Sequence, residues 1–318
     1  MNPADLEPLR EHLASRVIGQ QKLIDSMLVC LLSNGHLLVE GMPGLAKTTA
    51  VKALSEAIEG DFHRVQFTPD LLPSDLIGTD IYRHEKGEFE FRPGPLFHNI
   101  LLADEVNRAP AKVQSALLEA MGENQITVGQ RTYPLPKLFM VLATQNPIEQ
   151  EGTYHLPEAQ LDRFLMKVWV DYPARNEEIS ILSLDSDQQK SALQPPRQPV
   201  TQQALFAMRR DAANVFLDDK LSSYIVDLVQ ATRKPGAYDE TLSRWCRFGA
   251  SPRATIALAR CARAQAWLDG DEFVSPGHIK KIAPEILRHR ILLSFEAEAE
   301  GITSDDFVNR LLDMVAIP

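Results

Sequence analysis

The segment Gly41–Thr48 combines residue types that can bind a nucleotide phosphate. It reads Gly-Met-Pro-Gly-Leu-Ala-Lys-Thr, follows the apolar run 37–39 and precedes a helix-like stretch at 49–58. Backbone N–H groups in such a loop, together with the positive end of the following helix dipole, favour a bound anion. In this arrangement Lys47 would reach the β- and γ-phosphates, and the hydroxyl of Thr48 would bind Mg²⁺.

One position departs from the strict pattern, which has glycine directly before the lysine. Ala46 occupies that position. Alanine has the smallest side chain with a Cβ, so a phosphate could still approach closely. The alternative interpretation is a Gly/Pro turn that joins a strand to a helix. The order of strand, loop, Lys-Thr and helix favours phosphate binding.

Two acidic residues end a second apolar run. Asp104 and Glu105 follow Asn-Ile-Leu-Leu-Ala at 99–103. Ligands bind at the carboxyl edge of open α/β sheets, so these carboxylates are candidate site residues. Asp104 would hold Mg²⁺, and Glu105 would orient or deprotonate an attacking water. The alternative is a strand that ends in solvated acids.

Three further polar residues are candidates that depend on the first two sites. Asn146 follows another apolar strand and could orient water, although an Asn-Pro turn explains it equally well. Arg163 could stabilise phosphate charge in trans, or it could form a surface ion pair with Asp162 or Glu158. Arg253 lies in the first turn of a helix, where a cation opposes the helix dipole and needs a nearby anion.

These residues require a sheet to position them. Short apolar runs alternate with helical stretches from about residue 36 to 171, and several are apolar on both faces, as buried parallel strands are. The predicted strands are His36–Glu40, Arg64–Phe67, Asn99–Asp104, Phe139–Thr144 and Lys167–Val170. This alternation predicts a doubly wound α/β layer. Hairpins are predicted at 81–91 and 126–133, as insertions into that layer.

The pattern changes near residue 172, after which only helices and loops are predicted. Three prolines in 183–200 indicate an irregular linker. Ser-Pro pairs predict the starts of a helix at 252–268, closed by Gly270, and of another from 276 to about 290. The predicted domains are a nucleotide-binding core, a linker that begins the lid, and a small all-α lid; they span residues 1–172, 173–200 and 201–318.

Composition sets the broad class. The chain has 318 residues, 44% of them hydrophobic and 24% charged, which is typical of a globular protein with two domains. It contains no run of 18 apolar residues, so no membrane segment is expected. Three dispersed cysteines are typical of a reducing cytoplasm, which is the predicted location. A net charge of −10 argues against nonspecific nucleic-acid binding.

In this order the five sites resemble those of an AAA+ ATPase: Walker A, Walker B, sensor 1, arginine finger and sensor 2. Four segments are specifically similar to the MoxR family, in which alanine before the Walker lysine is usual. They are Gly-Met-Pro-Gly-Leu-Ala-Lys-Thr at 41–48, Ala-Asp-Glu-Val-Asn-Arg-Ala-Pro at 103–110, Ala-Thr-Gln-Asn-Pro at 143–147 and Leu-Pro-Glu-Ala-Gln-Leu-Asp-Arg-Phe at 156–164. The two hairpins resemble the helix-2 insert and the pre-sensor-1 hairpin of the same clade.

The resemblance implies an AAA+ αβα parallel-sheet domain followed by a helical lid, with ATP and Mg²⁺ as ligands. Glu105, Asn146, Arg163 and Arg253 would be catalytic, with Arg163 acting on a neighbour's ATP and Arg253 coupling hydrolysis to lid rotation. Thr48 and Asp104 would hold the metal. The nucleotide would contact Gly41, Pro43, Gly44, Leu45, Ala46, Lys47, Thr48, Thr49 and, near the adenine, Val17, Ile18 and Gln20. Either Gln66 or Thr68 would be the glutamate-switch residue.

The resemblance also implies a homo-hexameric ring that remodels, matures or activates partner protein complexes. A separate protein with a von Willebrand factor A domain and a client complex would be its partners. A nucleic-acid-stimulated motor is the main alternative, because clade relatives include helicase and restriction subunits. The mixed charge of the 81–91 hairpin disfavours it. A non-enzymatic scaffold would need a degraded site, and a small-molecule kinase would lack the sensor and finger motifs.

Overall fold

The computed structural model describes residues 2–85, 87–129, 131–147, 153–188 and 199–318. Its strands are β1 Leu37–Gly41, β2 Phe62–Gln66, β3 Gly78–Arg83, β4 Glu88–Pro93, β5 Ile100–Asp104, β6 Gln125–Val128, β7 Arg131–Pro134, β8 Met140–Gln145, β9 Met166–Val170, β10 Cys246–Phe248 and β11 Leu292–Leu293. Its helices are α1 Glu7–Arg16, α2 Gln21–Leu32, α3 Lys47–Glu56, α4 Pro73–Ile77, α5 Ala111–Glu123, α6 Glu158–Leu161, α7 Arg175–Gln188, α8 Gln202–Ala213, α9 Asp219–Arg233, α10 Glu240–Trp245, α11 Pro252–Asp269, α12 Pro276–Leu287, α13 Phe295–Ala299 and α14 Ser304–Met314.

A five-stranded parallel sheet in the order β2-β5-β8-β1-β9 forms the centre of the molecule. Every residue of β5 is buried, which explains why its sequence is apolar on both faces. Because the strands are parallel, β1, β5 and β8 all end at one edge, here called the carboxyl edge. Their first residues and the start of β9 lie at the opposite, amino edge. All five predicted strands are confirmed, with ends shifted by at most two residues.

The two predicted hairpins are also present, as β3–β4 and β6–β7. Both are slightly longer than predicted. The ring of Phe91 on β4 stacks on Tyr133 of β7, with ring centroids 4.2 Å apart. The two insertions therefore contact each other, while Tyr82 and Phe89 of the first hairpin remain exposed.

The predicted helix starts at Ser-Pro are confirmed. Ser251 caps α11, and Gly270 ends it in the left-handed conformation with φ of 83°. Ser275 caps α12, which ends at Leu287, about three residues before the predicted end. The N–H groups of the first helical turn have no partner within the helix. A proline there is therefore tolerated, because the N–H that it lacks would make no helical hydrogen bond.

One prediction for the C-terminal part was wrong. Residues 183–188 belong to α7 and are not irregular; the rest of the predicted linker, up to residue 198, lies outside the described residues. The predicted helical lid is confirmed, and within it β10 and β11 pair as a short antiparallel ribbon that the sequence did not predict. Strands of two and three residues are too short to produce a recognisable alternation of apolar and polar residues. The boundaries at 172 and 200 stay predictions.

The lid and the sheet share one hydrophobic core. A single buried cluster joins Met27 of α2 and Val168 of β9 to Leu258 of α11, Ile282 of α12 and Leu311 of α14. A second cluster covers the other face of the sheet with α4 and α5. The sheet is thus enclosed on both sides, as an αβα layer requires. Within the described residues, no helix is long and apolar enough to cross a bilayer.

Candidate functional site

A cleft of about 310 Å³ opens at the carboxyl edge of the sheet. It brings together the loop after β1, the acidic residues after β5 and the polar residues at the end of β8. Its lining residues are Pro43, Gly44, Leu45, Ala46, Lys47, Thr48, Thr49, Asp104, Glu105, Thr144 and Asn146. The structure therefore assembles residues that the sequence places far apart, and we refer to this cleft as the loop cleft.

The loop after β1 depends on two glycines and on a strained alanine. A Cβ on Gly41 would lie 2.4 Å from the carbonyl oxygen of Val170, so only glycine fits there. Gly44 has φ of 82°, which glycine adopts without strain. Ala46 has φ of 55° and provides no side-chain cap to α3. The first N–H groups of α3 thus receive no acceptor from this residue, in keeping with an anion as their partner.

Lys47 links the two neighbouring strands of the loop cleft. Its Nζ donates to the carbonyl oxygen of Gly41 at 2.5 Å and to that of Gln145 at 3.3 Å. The ammonium group is therefore held at the ends of β1 and β8, at the mouth of the loop. A phosphate in the loop would meet this charge directly.

Thr144 orients both acidic residues of the cleft. Its hydroxyl donates to Asp104 Oδ1 at 2.5 Å and accepts the N–H of Glu105 at 2.9 Å. The other oxygen of Asp104 accepts two bonds from Arg64, at 2.7 and 3.1 Å. Sequence reasoning did not assign a role to Arg64 on β2, because strand neighbours cannot be identified before the strand order is known.

The carboxylate of Glu105 has two partners. Its Oε2 accepts from Gln66 Nε2 at 2.7 Å and from Arg108 Nη1 at 2.9 Å. Thr68 instead bonds to the side chain of Asp70, which lowers the pKa of that carboxyl. Of the two candidates for the glutamate switch, Gln66 is therefore the one whose side chain contacts Glu105.

The oxygen donors of the cleft fit Mg²⁺. The hydroxyl of Thr48 and the carboxylate of Asp104 are hard ligands, as this ion prefers. Among the described residues, no group of three or more His, Cys, Asp or Glu side chains could hold a metal by itself. Mg²⁺ commonly keeps waters and uses substrate phosphates for its remaining ligands, so one carboxylate and one hydroxyl suffice.

A second cavity, of about 220 Å³, adjoins the loop. Ile18 and Gln20, which the resemblance places near the adenine, line this cavity, and Gln20 Nε2 donates to the carbonyl oxygen of Asp171 at 2.9 Å. Val17 does not line it, because its side chain belongs to the hydrophobic core. Ile181 and Leu184 of α7 complete the wall. Sequence reasoning missed them because the prolines that follow favoured a linker.

Arg163 lies at the amino edge, far from the loop cleft of its own chain. It lies three residues before the start of β9, a five-residue strand that spans roughly 17 Å at about 3.3 Å per residue. Its guanidinium lies against Gly122 and donates to the carbonyl oxygen of Leu118 in α5. Within the described part of the chain, it does not line the loop cleft.

Arg253 lies near the same edge. Its Nη1 is 3.6 Å from Asp162 Oδ2, so the nearby anion that the sequence predicted is this carboxylate. Both residues line a third cavity, of about 710 Å³, between the lid and the start of β9. Arg247, Arg288 and Arg290 add positive charge to its wall. Two of the four predicted catalytic residues, Glu105 and Asn146, thus lie in the loop cleft, and the two arginines lie elsewhere.

Comparisons with known proteins agree with this architecture. Residues 36–166 match the family described as ATPase family associated with various cellular activities (AAA), and residues 243–311 match the AAA lid domain. The chain is 47% identical to Chaperone MoxR1 of Mycobacterium tuberculosis, over 95% of this chain and 79% of that one. It is 34% identical to Protein MoxR of Paracoccus denitrificans, over 90% and 88% of the two chains.

A solved structure is also similar. The crystal structure of a Cytophaga hutchinsonii protein thought to be an ATPase superposes with a TM-score of 0.91 at 46% identity, covering 99% of this chain and 96% of that one. Together, the parallel sheet, the loop cleft and the lid define an AAA+ ATPase. Within that class, the chain belongs to the MoxR family.

Proposed function

We propose that the loop cleft binds ATP with Mg²⁺ and hydrolyses it to ADP and phosphate. The observation that carries this proposal is the convergence of Lys47, Thr48, Asp104, Glu105 and Asn146 on one cleft. The loop and Lys47 bind the β- and γ-phosphates. Thr48 and Asp104 hold the metal, which neutralises phosphate charge when bound.

Glu105 accepts the proton of the attacking water, and Asn146 orients that water against the γ-phosphate. In the structure, the Glu105 carboxylate is bound to Gln66 and Arg108. Both hydrogen bonds are made to Oε2, so this oxygen must exchange a partner before it can accept a proton from water.

The arginines support assembly into a ring. Arg163 and Arg253 lie at the amino edge of the sheet, whereas the loop cleft lies at the carboxyl edge. Neither side chain therefore reaches the nucleotide of its own subunit without a large rearrangement. If the loop cleft of a neighbouring subunit faced the amino edge, both arginines would lie close to the nucleotide of that neighbour. A homo-hexamer in which ATP is shared between subunits meets this requirement.

The biological role that fits best is chaperone-like remodelling or activation of partner protein complexes, with a separate von Willebrand factor A protein. One relative is named a chaperone, which supports this role. The first hairpin offers exposed Tyr82 and Phe89 for protein contact. In the same hairpin Arg83 is paired with Glu90 at 2.7 Å, which removes positive charge that a nucleic-acid motor would need.

The Glu105→Gln variant tests the proposal. It should bind ATP with nearly unchanged affinity and lose at least about a hundredfold in turnover, because a general base contributes about 10²- to 10⁴-fold. Glu123→Gln, an exposed carboxylate at the end of α5, is the control and should hydrolyse ATP normally. Unimpaired turnover in Glu105→Gln would refute the assignment of the base. Proteins that remain bound to this variant in the presence of ATP would identify the client. Stimulation of ATP hydrolysis by DNA or RNA would instead favour a nucleic-acid-stimulated motor.

A further inference from the structure

The carboxylate of Asp162 connects residues 162–167, here called the finger segment because it contains Arg163, to the lid. Asp162 directly precedes Arg163 and is only 15% exposed. Its Oδ1 accepts from Arg290 Nε at 2.8 Å, and its Oδ2 accepts from the hydroxyl of Ser251 at 2.8 Å. Arg253 Nη1 lies 3.6 Å from the same Oδ2. One side chain therefore contacts the lid at three points beside the finger.

Arg290 also fixes the backbone on both sides of the finger. Its guanidinium donates to the carbonyl oxygens of Asp162 at 3.3 Å, Phe164 at 2.5 Å and Leu165 at 3.1 Å. The side chain is 3% exposed, and burial lowers its pKa while the charge of Asp162 opposes that effect. A planar guanidinium with five donors can hold several acceptors in one geometry. The backbone of Arg163 is thus held by a lid residue.

The two residues before Arg290 extend this attachment. His289 Nε2 lies 3.2 Å from the carbonyl oxygen of Phe164, and Arg288 Nη1 donates to that of Lys167 at 3.2 Å. Three consecutive lid residues therefore contact the segment 162–167. Together with the shared hydrophobic core, these bonds connect the lid to the finger segment within a subunit. The coupling of hydrolysis to lid rotation through Arg253, which the family resemblance implies, stays a prediction.

We propose that Asp162 is a positioning residue that holds Arg163 and Arg253 in a fixed relation to each other, so that both meet the γ-phosphate of the neighbouring subunit. Arg290 supports it by fixing the carboxylate and the adjacent backbone. Asp162 itself does not touch the nucleotide. This proposal rests on the proposed ATPase function and on the action of both arginines in trans.

A mixture of two inactive variants isolates the effect. Lys47→Ala subunits cannot use their own nucleotide but can supply arginines; Arg163→Ala subunits can use nucleotide but supply no finger. Mixed rings should recover ATPase activity at interfaces where the first type faces the second. Asp162→Asn is then added to one type at a time. Asparagine keeps the size and one acceptor oxygen, but it removes the negative charge beside Arg253.

Asp162→Asn in the Lys47→Ala subunits should reduce the recovered kcat at least about tenfold, since small displacements of catalytic groups have effects of this order. The same change in the Arg163→Ala subunits should leave it unaltered. Glu158→Gln, an exposed carboxylate four residues earlier that lines the same cavity, is the matched control for both. Binding of a fluorescent ATP analogue to Asp162→Asn alone should match the unmodified protein.

The outcomes separate the two proposals. If the two inactive variants assemble but recover no activity, action of the arginines in trans is wrong. If activity recovers and Asp162→Asn has no effect in the Lys47→Ala subunits, or an equal effect in both, the positioning role of Asp162 is wrong. A loss of assembly or of thermal stability with Asp162→Asn would assign the residue a structural role instead.

Discussion

Burial of His36 makes the stability of this protein dependent on pH. The imidazole follows α2 and precedes β1, and it is 7% exposed. Its Nδ1 accepts the N–H of Val141 at 3.0 Å, and its Nε2 lies 3.3 Å from the carbonyl oxygen of Met121. One nitrogen must accept and the other donate, so the neutral ring fits and the protonated ring does not. Burial lowers the pKa of His36 from 6.5 to about 4, and the charge of Arg209 adds a smaller effect.

The sign and the size of the effect follow from this pKa. As the pH falls below 6.5, the unfolded chain binds a proton at His36 while the folded chain does not. The free energy of unfolding therefore decreases from pH 6.5 to about 4 and then levels off, as far as this group is concerned. At about 1.4 kcal/mol for each tenfold change in proton affinity, the total is about 3 kcal/mol.

Urea denaturation of the nucleotide-free chain and of His36→Gln, over a pH series between about 4 and 7.5, measures the effect. Subtracting the free energies of unfolding of the two proteins at each pH cancels the contribution of carboxylates that titrate in both. The variant should be less stable at neutral pH, because it loses the ring contact with Phe139. Its deficit should shrink by about 3 kcal/mol at the acidic end. His155→Gln, an exposed histidine, is the control. A deficit that stays constant with pH would refute the reasoning.

Three substitutions test the geometry of the site. Gly41→Ala would place a Cβ 2.4 Å from a backbone carbonyl of β9, so affinity for a fluorescent ATP analogue should fall at least about tenfold. Gln66→Ala removes one of the two partners of Glu105, so basal ATPase turnover should rise while nucleotide affinity stays constant. Gly122→Ala would bring a methyl group within 2.6 Å of the Arg163 guanidinium; ATPase turnover should fall severalfold with little change in melting temperature.

Much of the fold could be predicted because buried parallel strands and Ser-Pro helix starts are strong local signals. β5 and β8 are apolar on both faces, and only strands covered on both sides by helices have that composition. α7 was not predicted, because its exposed face includes Ile179 and Leu182 and its sequence shows little amphipathic pattern. The local signal there was weaker than that of the prolines that follow.

Where a motif is contiguous, its residues could be selected from the sequence, and residues 43–48 of the loop do line the loop cleft. The partners of the motif residues could not be predicted. Arg64 reaches Asp104 across neighbouring strands, 40 positions apart in the chain. Arg290 reaches Asp162 across 128 positions. Such pairs depend on strand order and on the placement of the lid, neither of which has a local sequence signal.

The separation of the loop cleft from the arginines restricts the symmetry of any assembly that completes the site. A two-fold pair buries the same patch on both subunits, so it could complete the site only if one patch contained both the loop cleft and the arginines. The cleft and the arginines lie at opposite edges of the sheet, which favours head-to-tail contacts, and these generate closed rings or open helices. Each subunit would then supply arginines to one neighbour and receive them from the other. The order of sites along the assembly therefore has a direction, which a single subunit lacks.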